Sequence, residues 1–346
     1  MIKVGFFDTK PYDREWFDKM NDGTFDIEYF ESKLNARTAR ITGGLEAVVA
    51  FVNDTLDKET IETLYDNGVK LIAMRCAGYN NVDFKAAYKK LNIVRVPGYS
   101  PHAVAEHAMA LLLTLNRKIH RAYNRTKEHN FSLNGLTGFV LRGKTAGVIG
   151  TGRIGQAFID ICKGFGMKVL AYDVYPNDNL DVEYVSLDTL LEKSDIISLH
   201  CPLTKETEYI INDKNIRKMK KNAIIINTSR GALVDSDALL LALRHERLGG
   251  AALDVYEEES NLFFEDHSNA VLRDKTLPLL ISLPNVIVTS HQAFLTEEAL
   301  ESIAKVTIDN MKAFFEGQPL ENEICYYCMD GKKKEECKSN KTGRCF

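Results

Sequence analysis

The strongest indication of the fold in this 346-residue chain is the sequence Gly150-Thr151-Gly152-Arg153-Ile154-Gly155. It directly follows a predicted apolar strand, residues 145–149, and it opens a predicted helix. In that context Gly150 permits a tight turn, Gly152 lets a pyrophosphate approach the backbone, and Gly155 lets the helix pack closely on the strand. The helix N-terminus adds oriented N–H donors for phosphate oxygens. This glycine turn (residues 150–155) therefore predicts a dinucleotide-binding site.

Asp173 indicates which dinucleotide binds. It stands 23 residues after Gly150, at the end of the next predicted strand, residues 168–172. A carboxylate at this position accepts hydrogen bonds from both ribose hydroxyls and repels a 2′-phosphate. The alternative is an accidental glycine turn followed by an exposed aspartate, but the spacing favours a cofactor site. The prediction is NAD rather than NADP.

The chain on both sides of the glycine turn alternates short apolar strands with helices. Predicted strands of the first series are 2–7, 25–30, 47–52, 69–74 and 93–96, with helices near 14–20, 58–67 and 84–91. Predicted strands of the second series are 145–149, 168–172, 183–185, 195–199, 223–227, 250–253 and 286–288. A long helix over 102–120 separates the two series, and a final helix covers 297–315. Continuous apolar strands in this order predict an α/β fold with two doubly wound parallel sheets.

Composition excludes two broad classes of function. Forty-four Lys and Arg against forty-eight Asp and Glu give a net charge of −4, so a basic face for nucleic acid is not indicated. The longest apolar run, residues 108–113, falls far short of the ~18 residues of a membrane span. The N-terminal residues 1–8 are too short an apolar stretch for a secretory signal, so a cytoplasmic protein is expected.

Three charged or titratable residues follow strands of the second series: Arg230, Glu259 and His291. Reduction of a 2-keto acid needs a guanidinium for the carboxylate, an acid for the ketone oxygen and a hydride donor. The planar donors of Arg230 match a carboxylate, and His291 suits the acid because histidine is the side-chain type that most often exchanges protons in catalysis. A neighbouring Glu259 would fix the orientation of that ring. Each residue alone also fits an ordinary surface loop, and the prediction rests on their joint placement at strand ends.

The chain resembles the D-isomer-specific 2-hydroxyacid dehydrogenases, and within them the fermentative bacterial D-lactate dehydrogenases. Besides the glycine turn, the resemblance is carried by residues 96–101 (VPGYSP), 105–108 (AEHA), 198–204 (SLHCPLT), 227–235 (NTSRGALVD), 254–257 (DVYE), 262–266 (LFFED) and 291–296 (HQAFLT). It implies a discontinuous flavodoxin-like substrate domain, residues 1–99 and 296–323, around a Rossmann NAD-binding domain, residues 100–295. A homodimer built on the long helix, or a tetramer, is also implied.

The resemblance assigns a role to individual residues. It implies that Arg230 binds the substrate carboxylate, that His291 is the acid/base and that Glu259 is its partner. The implied cofactor contacts are Gly150, Gly152, Arg153, Ile154, Gly155, Asp173, Cys201, Pro202, Thr228, Ser229 and Asp254. The implied substrate contacts are Ala77, Gly78, Tyr99, Arg230 and Phe294, the last as an aromatic wall that limits side-chain size. His107, within the long helix, is expected to serve packing.

The tail, residues 324–346, departs from the family's usual ending. It carries Cys325, Cys328, Cys337 and Cys345 among lysine- and glutamate-rich segments. Four thiolates could bind Zn²⁺ tetrahedrally or hold an iron–sulfur cluster. The polar composition equally fits a solvated tail with free thiols. Catalysis itself requires no metal in this interpretation.

The expected function is reduction of pyruvate to D-lactate, with NADH as hydride donor and His291 as proton donor. One alternative is a D-2-hydroxyacid dehydrogenase for larger keto acids, such as 2-ketoisocaproate or phenylpyruvate. A second alternative, from a different class, is a nucleotide-sensing co-repressor-like protein, because relatives of this fold serve as co-repressors in which NAD binding changes the affinity for a partner. The intact set of Arg230, Glu259 and His291 favours catalysis.

Overall fold

A computed structural model describes residues 1–259, 262–326 and 344–345 of the chain. The chain forms two compact units. Unit 1 comprises Met1–Ser100 and Leu295–Phe346, and unit 2 comprises Pro101–Phe294. Each unit contains one parallel β-sheet with helices packed against it, so the predicted α/β fold with two parallel sheets is confirmed.

The regular elements follow one another as strand and helix along most of the chain. In order they are β1 (Ile2–Phe6), α1 (Pro11–Met20), β2 (Phe25–Tyr29), β3 (Ala47–Ala50), α2 (Lys58–Asp66), β4 (Leu71–Met74), α3 (Phe84–Ala87), β5 (Asn92–Arg95), α4 (Pro101–Arg117), α5 (Ile119–Lys127), β6 (Thr145–Ile149), α6 (Arg153–Gly164), β7 (Lys168–Tyr172), β8 (Glu183–Tyr184), α7 (Leu187–Lys193), β9 (Ile196–Leu199), α8 (Asp213–Ile216), β10 (Ile224–Asn227), α9 (Ser236–Arg244), β11 (Gly250–Leu253), α10 (Leu277–Ser282), β12 (Val286–Val288) and α11 (Glu297–Phe315).

Unit 1 is a five-stranded sheet in the order β2-β1-β3-β4-β5. The central strands β3 and β4 are buried at every position, because helices cover the sheet. Helices α1 and α11 pack on each other, and the ring of Phe17 lies edge-on to Phe6 at 4.7 Å between centroids. Helix α11 begins where the Thr296 side chain accepts a hydrogen bond from the backbone N–H of Ala299. The C-terminal helix thus belongs to the core of the unit formed by the first hundred residues.

Unit 2 is a seven-stranded sheet in the order β12-β11-β10-β9-β6-β7-β8. Successive side chains of its strands enter two different apolar clusters, one on each face. On β10, Ile224 and Ile226 pack with α4 and α6, whereas Ile225 packs with α7 and α9 on the other face. Burial on both faces explains why these strands are continuously apolar instead of alternating with polar residues. All the strands are parallel, so their carboxyl ends share one edge of the sheet.

The predicted helix over 102–120 is wrong at its C-terminal end. Helix α4 stops at Arg117, Lys118 adopts a left-handed conformation with φ of 51°, and α5 starts at Ile119. The apolar pattern that holds α4 on the sheet ends at Leu115, and α5 has no buried residue. Because the residues of α5 bury no apolar side chains, no packing contact requires them to extend the α4 helix.

Other boundaries differ by a few residues. Strand β3 ends at Ala50 instead of residue 52, and α1 begins at Pro11 instead of residue 14, with Pro11 at the first helical turn, where proline is favoured. The longest helices are α4 and α11, with 17 and 19 residues. Across the described ranges, no helix combines the length and the apolar character needed to cross a bilayer.

Candidate active site

The glycine turn connects β6 to α6, and its geometry requires glycine at two positions. Gly150 has φ of 94°, and a Cβ there would lie 2.5 Å from the backbone nitrogen of Cys201. A Cβ on Gly155 would lie 2.1 Å from the carbonyl oxygen of Gly150. Gly152 instead faces open space, and no side chain caps the N-terminus of α6 behind it. The turn therefore leaves room and free N–H donors for a pyrophosphate, with Arg153 exposed and Ile154 half-buried at the first helical positions.

Asp173 follows β7 and lies beside this turn. Its Oδ2 accepts hydrogen bonds from the backbone nitrogen and the hydroxyl of Thr151, at 2.6 and 2.9 Å, and its Oδ1 accepts from the backbone nitrogen of Tyr175 at 3.0 Å. Burial raises the pKa of Asp173, but these hydrogen bonds outweigh burial, and the net shift is downward. The side chain is thus an oriented, half-buried carboxylate with acceptor capacity for ribose hydroxyls.

The remaining cofactor candidates lie after the neighbouring strands. Cys201 and Pro202 follow β9, Thr228 and Ser229 follow β10, and the Ser229 hydroxyl donates to the carbonyl of Cys201 at 2.8 Å. The buried Thr228 hydroxyl has no hydrogen-bond partner within the described part of the chain. A buried, unpaired hydroxyl beside an open glycine turn is consistent with a contact that a ligand would complete. The residues present therefore fit a dinucleotide.

The structure brings together two of the three predicted catalytic residues. His291 follows β12, Glu259 follows β11, and His291 Nδ1 lies 2.8 Å from Glu259 Oε1, although 32 residues separate them in sequence. Glu259 is itself held, because its Oε2 accepts a hydrogen bond from the backbone nitrogen of Tyr256 at 2.9 Å. An ionised carboxylate can only accept, so Nδ1 carries the proton of this contact. Within the described ranges, Nε2 of His291 has no hydrogen-bond partner and is available to a substrate.

Arg230 lies at the same edge of the sheet, after β10. It is half-buried, and its Nη1 donates to the backbone carbonyl of Ser229 at 2.6 Å. The side-chain amide of Asn227 donates to the backbone carbonyl of Arg230 at 2.8 Å and fixes this turn. Arg230 makes no hydrogen bond or ion pair with Glu259 or His291 in this structure. Its remaining guanidinium donors can therefore bind an anion.

Asp254 and His107 form a contact that the sequence did not predict. Asp254 is fully buried, and His107 Nε2 lies 3.3 Å from its Oδ1 and 3.2 Å from the hydroxyl of Thr289. The expectation that His107 serves packing alone is therefore wrong. No sequence signal pointed to this contact, because His107 lies on the buried face of α4, four residues before Leu111, where a histidine also fits packing. Phe264 was also missed as a neighbour of the candidate acid, and its ring lies 5.9 Å from that of His291.

The predicted substrate contacts Ala77, Gly78 and Tyr99 lie in unit 1, whereas Phe294 lies in unit 2, where it is buried. Ala77 and Gly78 follow β4. Arg95 donates to the carbonyl of Ala77 at 2.9 Å, and the Cys76 thiol contacts the carbonyl of Gly78 at 3.3 Å. These contacts fix the orientation of the two peptides.

Two of the four tail cysteines are described. Cys325 and Cys345 are both buried, and the backbone nitrogen of Cys345 donates to Glu323 at 2.6 Å. Burial raises the pKa of the Cys345 thiol, and a hydrogen bond with the Cys325 side chain raises it further. Cys328 and Cys337 lie outside the described residues. The residues that the structure describes contain no group of three or more potential metal ligands, so the four-cysteine site stays a prediction.

Comparison with known proteins agrees with this geometry. A family model for the NAD-binding domain of D-isomer specific 2-hydroxyacid dehydrogenases matches residues 109–293. The D-lactate dehydrogenase of Escherichia coli (strain K12) is 50% identical over 328 residues, which cover 93% of this chain and 100% of that protein. The solved apo-structure of D-lactate dehydrogenase from Escherichia coli has a TM-score of 0.86 and 48% identity, covering 93% of this chain and 100% of that one. A structure of the pyruvate reductase of Chlamydomonas reinhardtii has a TM-score of 0.89 and 44% identity, covering 93% of this chain and 98% of that one. The chain therefore belongs to the D-isomer specific 2-hydroxyacid dehydrogenases, a family of enzymes with an NAD-binding domain.

Proposed function

We propose that this chain is a cytoplasmic, NAD-dependent D-lactate dehydrogenase that reduces pyruvate. The observation that carries the proposal is the 2.8 Å contact between His291 Nδ1 and Glu259 Oε1 at the sheet edge that also carries the glycine turn. A histidine held by a carboxylate on one nitrogen and open on the other is arranged to transfer a proton. The similarity to D-lactate dehydrogenases over 93% of the chain supports pyruvate as substrate.

The chemistry divides among three residues. Arg230 binds the substrate carboxylate and stabilises the negative charge that develops on the ketone oxygen. His291 donates the Nε2 proton to that oxygen, and Glu259 keeps the ring oriented and stabilises its protonated form. The glycine turn and Asp173 would hold NADH, which would supply the hydride for the keto carbon. The product is a 2-hydroxy acid, and the histidine is left neutral for reprotonation from solvent.

Unit 1 serves as the substrate domain and unit 2 as the NAD-binding domain in this proposal. The backbone nitrogens of Ala77 and Gly78 have no acceptor within the described residues, which suits them to a substrate carboxylate or hydroxyl. Tyr99 would add a further contact. Phe294 would limit the size of the substrate side chain and so favour pyruvate over branched or aromatic keto acids.

A keto-acid panel tests the proposed function. Purified protein is mixed with NADH and with pyruvate, 2-ketoisocaproate or phenylpyruvate, and the loss of NADH absorbance is followed. The largest kcat/KM is expected with pyruvate, and the product should be the D isomer by chiral chromatography. A preference for the larger acids would replace the substrate assignment. NADH binding without turnover of any keto acid would favour a nucleotide-sensing protein instead.

Asp173→Ala is expected to narrow the preference for NADH over NADPH by about 10- to 100-fold, because the lost charged hydrogen bond and the lost repulsion together contribute about 1.4–2.8 kcal/mol. The measurement is kcat/KM for both cofactors at saturating pyruvate. The exposed Asp178, in the same connection, provides a matched control as Asp178→Ala. An unchanged cofactor ratio in Asp173→Ala would show that this carboxylate does not contact the ribose.

The assembly is expected to be a homodimer. The segment that follows α4 leaves several large apolar side chains exposed, namely Tyr123, Phe131, Leu133 and Val140. Large contiguous apolar surfaces are typical of interfaces between subunits, and these side chains are candidates for such a surface. Light scattering after gel filtration should give twice the 39.0 kDa mass of one chain. A tetramer would require a second interface, and a monomer at micromolar concentration would contradict the prediction.

The tail prediction is tested by metal analysis. If Cys325, Cys328, Cys337 and Cys345 hold a metal, the purified full-length chain should carry about one equivalent of zinc, or iron together with labile sulfide. Cys325→Ser should release that metal while turnover of pyruvate stays unchanged, because the tail contributes no group to the proposed chemistry. Less than about a tenth of an equivalent would exclude a metal site on these cysteines.

A further inference from the structure

The segment that carries His291 is held by hydrogen bonds to one buried residue, Asp254. The carbonyl of Asp254 accepts from the backbone nitrogen of His291 at 2.7 Å. Its side chain accepts from the backbone nitrogens of Gln292 and Ala293, each at 2.9 Å, and from the hydroxyl of Thr289 at 2.5 Å. Residues 289–293, here called the histidine loop, therefore have four hydrogen bonds to a single residue at the end of β11.

The histidine loop needs such an anchor. His291 has φ of 54°, in the left-handed region that side-chain-bearing residues rarely adopt. A strained backbone persists only where surrounding contacts determine it. This backbone conformation places the His291 imidazole against Glu259. A change in the loop conformation would therefore move the candidate acid.

His107 completes the anchor from a different element. It lies on α4, and its Nε2 approaches both Asp254 Oδ1, at 3.3 Å, and the hydroxyl of Thr289, at 3.2 Å. The Thr289 hydroxyl donates its one proton to Asp254, and an ionised carboxylate has none to donate. Nε2 of His107 must therefore carry a proton and donate to this pair of oxygens. The sequence pattern alone explains His107 as packing, but this donor geometry does not follow from packing.

His107 also offsets the cost of burying the Asp254 charge. Asp254 is fully buried, and burial raises the pKa of its carboxyl. Hydrogen bonds from His107, Thr289, Ala293 and Gln292 outweigh burial, so the net shift of the pKa is downward. Loss of the His107 donor would leave the buried Asp254 charge less well compensated and one of its oxygens free to shift, so the carboxylate would no longer hold the loop in a single position.

We propose that His107 is a positioning residue for proton transfer, which acts through Asp254 and Thr289 to hold the histidine loop and the His291 imidazole in place. The inference rests on the proposed function of His291 and assigns His107 no contact with substrate or cofactor. A slightly misplaced donor costs turnover more than binding, because only the reacting geometry depends on it.

The test compares His107→Leu, which removes the donor, with His107→Gln, whose amide can donate from a similar position. His107→Leu should lower kcat for pyruvate reduction by about 10- to 100-fold. The KM for pyruvate and the KM for NADH should each change less than about threefold. His107→Gln should recover most of that loss. The exposed His102, five residues earlier on α4, gives the matched control His102→Leu, which should retain full turnover.

Thr289→Val provides an independent route, because it removes the second oxygen that His107 contacts while conserving shape. Thr289→Val should lower kcat, and its combination with His107→Leu should cost less than the product of the two single effects. Fluorescence titration with NADH verifies that each variant is folded. The inference would be overturned if kcat of His107→Leu stayed within about twofold of the unaltered chain, or if His107→Gln recovered none of the lost kcat. The proposed function would still stand in either case. Absence of turnover in the unaltered chain with every keto acid would overturn the proposed function, and this inference with it.

Discussion

His291→Gln is expected to bind NADH as the unaltered chain does and to reduce pyruvate about 10²- to 10⁴-fold more slowly, the usual effect of removing a positioned proton donor. The glutamine amide can still donate to Glu259, so the loop and its backbone contacts are kept. It cannot release a proton to an alkoxide at neutral pH. The loss should therefore fall on kcat, whereas KM for pyruvate changes little because Arg230 is intact.

Stopped-flow and steady-state kinetics measure this prediction directly. NADH affinity is measured by fluorescence, and a single-turnover experiment reports the reduction step itself. The control is His102→Gln, which changes an exposed histidine of the same unit and should leave both quantities unchanged. A near-normal rate of single-turnover reduction by His291→Gln would exclude His291 as the acid. Another group at this sheet edge would then have to donate the proton.

The sequence predicts those parts of the fold that depend on local chemistry. The glycine turn specifies its own geometry, because at Gly150 and Gly155 any side chain would collide with backbone atoms. Continuous apolar runs such as β10 predict strands buried on both faces, and the two clusters of unit 2 confirm this. The break at Lys118 could not be predicted in the same way. Nothing in its neighbours specifies a left-handed residue, and the break reflects where contact with the sheet ends.

The candidate site depends on contacts between distant segments, which periodicity does not specify. The sequence places Glu259 and His291 after different strands, and only the parallel neighbours β11 and β12 bring them within 2.8 Å. The same holds for His107, which is 182 residues from Thr289 and on another element. A histidine on a buried helix face reads as packing until its donor partners are known. Residue chemistry and the resemblance to a family both assigned roles to the strand-end residues, but neither assigned His107 a role beyond packing.

Arg230→Gln is expected to lower kcat/KM for pyruvate by about 10²- to 10⁴-fold. A forked pair of charged hydrogen bonds to a carboxylate contributes about 3–6 kcal/mol at ~1.5–3 kcal/mol each. NADH affinity should be unchanged, because the guanidinium is assigned to the substrate. The exposed Arg244 of α9 gives the control Arg244→Gln, which should keep normal kinetics.

Arg230→Lys separates charge from geometry at this position. Lysine keeps the positive charge but presents it as a point, without the two parallel donors that match a carboxylate. If charge alone matters, Arg230→Lys should recover nearly all of the kcat/KM lost in Arg230→Gln. If the fork orients the keto acid for attack, Lys should recover KM more than kcat, because binding survives while alignment is lost. We expect the second outcome, since Arg230 lies on a turn fixed by Asn227 and offers its guanidinium from one defined direction. Equal kinetics for Arg230→Gln and the unaltered chain would exclude Arg230 as the carboxylate-binding residue.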